Sequence, residues 1–381
     1  MLDAVLTRLD AAAPEVVALQ RDLVAIPALG PANDGQGEAA KAAWLLAHLR
    51  SLGFPDIREL NAPDSRVPSG SRPNLAARIP GADDSRTLWV IAHMDIVPAG
   101  DPGLWSSDPF TLQVDGDVLV GRGVEDNHQG LVSGLVLAKA VLQATAVPPI
   151  GLGLLLVSDE ETGSKYGLDW VLANHPELFS PRDLILVPDH GAPDGSAVEV
   201  AEKSMLWLKV AVEGKQCHAS TPAAGVNSLV AAADFILRLR GLYQRFPERD
   251  ELFAPATSTF EPTKKEANVP NVNTIPGKDV FYVDCRVLPT IPLEKVEAAI
   301  REMGAAVEAA HGVKITYEPV QREQAAPATP VDSDVVRLLL AAIRAELGVE
   351  PKPEGIGGGT VAAFLRRRGH HAAVWSTLVG N

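Results

Sequence analysis

Three apolar runs in this chain each end on acidic or imidazole side chains: "TLWVIAHMD", "GLGLLLVSDE" and "DLILVPDHG". Runs so rich in Leu, Val and Ile, with little polar alternation, read as strands buried on both faces, the habit of a parallel sheet covered by helices. Between the first two lies "QGLVSGLVLAKAVLQA", a helical pattern long enough for the crossover that parallel strands require. The expected fold is therefore α/β, with a mixed, largely parallel sheet flanked by helices. In such sheets chemistry collects at the carboxyl ends of the strands. His93, Asp95, Glu160, Glu161 and Asp189 all fall there.

Three adjacent carboxylates, Asp159, Glu160 and Glu161, follow the second run in "VSDEETGS". Like charges at the end of a buried strand repel one another and are costly to desolvate, so cations have to compensate them. Two divalent metals would do so. His93 and Asp95 in "IAHMDIVP" are two residues apart and face the same way on an extended strand. Asp126, in "GRGVEDNHQG", stands between a glycine-rich turn and a helix start. One imidazole with several carboxylates and no thiolate suits zinc, cobalt or manganese, with zinc as the first choice.

Near residue 200 the pattern changes. Alternating strands in "MLWLKVAVEGK" and "NTIPGKDVFYVDCRVLP", with the helices "SLVAAADFILRLRGLYQRF" and "LEKVEAAIREMGAAVEAAH", describe an α+β sandwich over residues 202–321. It interrupts a domain made of residues 1–201 and 322–381, with "VQREQAAPATPV" as the return linker. Further helices are expected at the start of the chain, in "GEAAKAAWLLAHLRSLGF" closed by Gly53, and in "DVVRLLLAAIRAELG". "GIGGGT" leads into another helix, whose "RRR" at 366–368 complements its C-terminus, and "AAVWSTLV" reads as a last strand.

A net charge of −14 and a pI near 5.1 argue against nucleic acid or an anionic membrane as the main partner. Two cysteines, Cys217 and Cys285, are too few for a disulfide scaffold, and no uncharged apolar stretch approaches the roughly 18 residues of a membrane span. The N-terminus shows no cationic-then-apolar signal pattern, so the expected location is cytoplasmic. Cys217 beside His218 suggests a thiol nucleophile, but no base motif accompanies it and it reads as a small, partly buried residue.

The ordered set "AHMD", "GRGVEDN", "DEETGS" and "PDHG" resembles, over essentially the whole chain, the co-catalytic metallopeptidases and amidohydrolases that include acetylornithine deacetylase, succinyl-diaminopimelate desuccinylase, aminoacylase and bacterial glutamate carboxypeptidase. The resemblance implies a zinc-exopeptidase-like fold with an inserted lid that forms a homodimer. It implies hydrolysis of an amide bond in an N-acyl amino acid or small peptide by a metal-activated water. On that basis His93 and Asp189 bind one metal, Asp126 bridges two, and Glu161 binds the other. Glu160 is the general base, Asp95 orients His93, and Asp159 is structural. His128 and His190 have no assigned role. His218 in "KQCHASTP" stabilises the tetrahedral oxyanion across a subunit boundary. Asn273 and Arg286 grip the substrate, and Gly358, Gly359 and Thr360 hold its carboxylate.

The family carries a further histidine ligand in a loop after the strand that here reads "AAVWSTLVGN"; the expectation is that the natural product extends beyond Asn381. Two alternatives stay open: a non-catalytic binding protein on the same scaffold, and a dedicated desuccinylase or deacetylase. The apolar residues of "GGGTVAAF" speak against the desuccinylase substrate itself.

Overall fold

The strand Ile150–Val157 has apolar side chains on both faces and so needs cover on both. In the computed structural model, which describes residues 1–144 and 146–379, it receives that cover. Leu154 and Leu156 join one buried cluster with Leu45, Leu49, Leu131 and Leu135, while Leu155 and Val157 join another with Leu168, Val171 and Leu365. The strand Asp83–His93 divides in the same way, Val90 and Ala92 to the first cluster, Trp89 and Ile91 to the second. Period-two alternation therefore feeds two cores from one sheet.

Among the described residues this sheet has eight strands. Their order is Asp56–Pro63, Ser71–Ile79, Ile150–Val157, Asp83–His93, Leu184–Val187, Ala372–Val374, Ala197–Glu202 and Lys352–Ile356. From Ile150–Val157 to Ala372–Val374 the neighbours run parallel. The strands Asp56–Pro63 and Ser71–Ile79 are antiparallel additions to one side. The helix Ala39–Leu52 ends on Gly53, whose φ of 81° is the left-handed cap a glycine supplies without strain. The last strand is shorter than its apolar run: Ala372–Val374 pairs, and Trp375 leaves it to donate its indole N–H to the Gly195 carbonyl. Within "RRR", Arg366 lies in the last turn of the helix Ala362–Arg367, as expected, but faces inward. It is buried and bonds Glu199 Oε1 at 2.6 Å, Thr329 and the Ala372 carbonyl, so it ties the helix Ala362–Arg367 to its neighbouring strands.

The described residues form two compact units, one of Met1–Val200 with Thr329–Pro353 and the segment from Thr360, the other of Ala201–Ala328 with Glu354–Gly359. In the second, an antiparallel sheet ordered Thr259–Lys265, Lys278–Val287, Ser204–Glu213, Lys314–Glu323 packs under the helices Ser228–Leu239 and Leu293–His311. Leu206, Leu208, Val210 and Val212 point into that core, and Trp207 points away from it. The strand Lys314–Glu323 takes up the first residues of the expected return linker. Among the described residues no helix is long and apolar enough to cross a membrane.

Candidate active site

At the carboxyl ends of the parallel strands the chain brings side chains from four loops together. His93 closes one strand, and Asp189 lies two residues past the end of Leu184–Val187, its N–H on the Val187 carbonyl. Asp126 sits in an irregular stretch, φ −113° and ψ 97°, just before the helix Gln129–Leu142. Glu160 and Glu161 do not end a strand, as the sequence suggested; the strand stops at Val157 and they open a short 3-10 turn, Glu160–Thr162.

His93, Asp126 and Asp189 each place a ligand atom within 4.8 Å of the others. His93 Nε2 is 2.9 Å from Asp126 Oδ1, 3.6 Å from Asp189 Oδ1 and 4.0 Å from Glu160 Oε2. Its Nδ1 donates to the Asp95 carbonyl at 3.0 Å and lies 3.5 Å from Asp95 Oδ1, the arrangement that fixes the orientation of a metal-binding imidazole. Asn127 donates to Asp189 and to the Pro188 carbonyl, linking two of the loops.

The electrostatics of this rim ask for positive charge. Burial alone would push the His93 imidazolium down, yet bonds to Asp126, Asp189 and Asp95 hold it well above its usual range. Burial, followed by neighbouring carboxylates, pushes Glu160 well up and Glu161 up to about 7. Glu161 Oε1 is buried with no hydrogen-bond partner among the described residues. An orphaned carboxylate oxygen, an imidazole and converging carboxylates form a donor set that fits a divalent cation of the zinc type.

Asp95 does more than its expected service to His93. Oδ1 accepts the Glu160 N–H and Oδ2 the Glu161 N–H, both at 3.1 Å, so it also clamps the turn that follows. Asp159 is bonded to Arg72, Thr162 Oγ1 and the Tyr166 N–H. His128 is fully buried and accepts from Lys41 Nζ at 2.6 Å. The sequence reading missed Glu38, Lys41 and Arg72, charged side chains with no measurable exposure. Arg72 is the second residue of the strand Ser71–Ile79, beside Ser71, Pro73 and Asn74, so no break in an apolar pattern marks it in the sequence.

In the second unit, His218 pairs with Thr274 across a two-residue ladder, beside Asn273, whose carbonyl accepts the Ala219 N–H. The Ser220 N–H donates to His218 Nδ1 at 3.1 Å, an acceptor role for Nδ1 that leaves Nε2 as the ring's donor. Arg286 is engaged within its own unit. It forks onto Asp284 at 2.7 and 3.0 Å, donates to the Gly357 carbonyl at 2.7 Å and lies over the Trp207 ring. Gly358 and Gly359 follow that carbonyl in the same unit. Thr360 belongs to the first unit, where its hydroxyl accepts the Ala362 N–H at the start of a helix. Cys285 is buried, which pushes its thiol up to about 12, whereas Cys217 is partly exposed. A disulfide reagent of the Ellman type is expected to titrate one thiol in the folded protein and two in denaturant. Rapid reaction of both thiols in the folded protein would contradict this assignment.

Residues 89–381 match a family described as peptidase family M20/M25/M40. An uncharacterized metallohydrolase of Methanococcus maripaludis is 40% identical over 383 residues, covering 95% of this chain and 91% of that protein. A succinyl-diaminopimelate desuccinylase of Dinoroseobacter shibae is 29% identical over 94% of this chain and 89% of its own length. Among solved structures, human carnosine dipeptidase 1 superposes with a TM-score of 0.75 at 18% identity, over 98% of this chain and 91% of that one.

Proposed function

The chain belongs to peptidase family M20/M25/M40, a family of amide-bond hydrolases whose members here include metallohydrolases, and from that premise we propose that it cleaves the linear amide of an N-acyl amino acid or small peptide with a free carboxylate. The observation that carries this reading is the convergence of His93, Asp126 and Asp189 beside Glu160 at the carboxyl ends of parallel strands. His93 and Asp189 would hold one divalent ion, Glu161 the other, and Asp126 would lie between them, with zinc the first choice. When bound, such a pair of ions supplies Lewis acidity and lowers the pKa of water.

The chain's own groups do the rest. Glu160, whose proton affinity burial raises, takes a proton from water as the amide carbonyl is attacked and returns it to the leaving amine. Asp95 keeps the His93 ring aligned and holds Glu160 by its backbone N–H. His218 presents Nε2–H, the donor suited to a developing oxyanion, and Asn273, Arg286 and Gly358 to Thr360 serve the substrate's carboxylate and backbone. The unit Ala201–Ala328 would act as the lid and as the surface on which a homodimer forms.

The test is metal content measured alongside hydrolysis of a panel of N-acyl amino acids and dipeptides. About two ions per chain, with turnover that follows the ions, is the expected result. No turnover on any linear amide at full metal loading would defeat the proposal. Preference within the panel then separates a dedicated deacylase from a broad dipeptidase.

A further inference from the structure

Four consecutive backbone N–H groups, from Ser158 to Glu161, donate to side chains rather than to a helix or sheet ladder. Asn74 Oδ1 takes the first at 3.0 Å, Glu38 Oε1 the second at 3.3 Å, and the two oxygens of Asp95 the third and fourth at 3.1 Å. The turn needs this support because Asp159 and Ser164 adopt left-handed φ values of 65° and 57°, in which non-glycine residues are disfavoured.

Behind the turn stands Arg72, fully buried on the strand Ser71–Ile79. Nε and Nη2 both donate to Glu38, Nη1 donates to Asp159 Oδ1 at 3.1 Å, and Nη1 lies 3.7 Å from Asp64. Its planar fork thereby joins the side chain that accepts the Asp159 N–H to the side chain of Asp159 itself. One helical turn beyond Glu38, Lys41 bonds His128, two residues from Asp126, so the same helix start braces a second loop of the rim. We infer that Arg72 is a positioning residue of the hydrolytic centre, acting through Glu38 and Asp159 to fix the turn that presents Glu160 and Glu161. The inference rests on the roles proposed above for those two glutamates. Arg72 touches neither of them and no reacting atom.

A lysine could keep the charge but not the fork, since a single ammonium cannot hold two carboxylates in one plane. The experiment therefore compares Arg72→Lys and Glu38→Gln with the parent chain by three readings. These are Zn²⁺ affinity in competition with a chromophoric chelator, the visible spectrum of the Co²⁺-loaded protein, and kcat and KM on one amide substrate. The expected result is a loss of roughly 10–100-fold in metal affinity or kcat, the range for groups that orient metal ligands, with a changed Co²⁺ spectrum. Unchanged affinity, spectrum and kcat, with only the melting temperature lowered, would reduce Arg72 to a fold-stabilising charge and overturn the inference. Should Arg72→Lys not fold, Glu38→Gln decides alone, since it keeps the shape of the site and removes the charge that the guanidinium grips. Glu160→Gln is run in parallel. If it retains full activity, the general-base reading fails, while the metal-affinity arm still judges Arg72.

Discussion

Glu160→Gln is expected to lower kcat by about 10²–10⁴-fold while metal content and KM stay close to those of the parent. The amide keeps the volume of the carboxylate and its two polar ends, so the surrounding packing has no reason to move. It cannot accept a proton, and a buried carboxylate of raised proton affinity is the group placed to do so. The Glu160 N–H bond to Asp95 is a main-chain contact and survives the change. A drop in kcat with two ions still bound isolates proton transfer from metal retention. Activity within tenfold of the parent would mean that another group moves the proton.

The second large effect is on removal of the ions. A chelator is expected to abolish hydrolysis, and Zn²⁺ or Co²⁺ to restore it, with a rise in melting temperature on reloading. At a free ion concentration one hundred times Kd, binding adds about 2.7 kcal/mol to folding stability, a shift that calorimetry resolves easily. The dependence on pH has a definite sign. Burial first, and then Asp126, pushes Glu161 up to about 7 in the ion-free protein. Below that pH the carboxyl holds a proton that an ion must displace, so affinity falls as pH falls, and binding near pH 7 releases protons. Titration calorimetry in buffers of different ionisation enthalpy measures that release. Affinity independent of pH between 5 and 8 would show that Glu161 is already ionised over that range before an ion binds. Asp126→Ala is expected to reproduce the loss of both ions, as a residue placed between them should.

The rim of the sheet was legible because its chemistry is local in sequence: an apolar run supplies the strand, and the next few residues supply the acid or the imidazole. His93, Glu160, Glu161 and Asp189 announce themselves in this way, and Asp126 by its place between a glycine-rich turn and a helix start. Their support does not. Glu38 and Lys41 stand in "GEAAKAAW", which reads as an ordinary helix start with solvated charges, and only tertiary placement turns both inward. The strand Asp56–Pro63 was hidden for the opposite reason: at the margin of the sheet it is mostly exposed, and "DIRELNAP" lacks the apolar density of a central strand. In "VQREQAAPATPV" the prolines suggested a linker throughout, but its first four residues, Val320 to Glu323, complete the edge strand Lys314–Glu323, which also absorbs Pro319 with a shift in register beside it. For Arg286, proposed to grip the substrate, nothing in the sequence announced its partners. Its fork onto Asp284 means that a substrate carboxylate would meet an arginine already oriented and partly neutralised.

The four occupied N–H groups of residues 158–161 also settle a matter of division of labour. Serine hydrolases cradle the negative oxygen of the tetrahedral intermediate with main-chain amides next to the nucleophile. Here the amides of residues 158–161, which include that of Glu160, the proposed general base, already serve Asn74, Glu38 and Asp95, and none of the four is left to face a substrate. Rigidity of the turn has been obtained by giving up its anion-binding capacity. Under the proposed mechanism the developing charge would be met by side-chain donors and bound ions, and a side-chain donor can be exchanged by a single substitution where a backbone amide cannot.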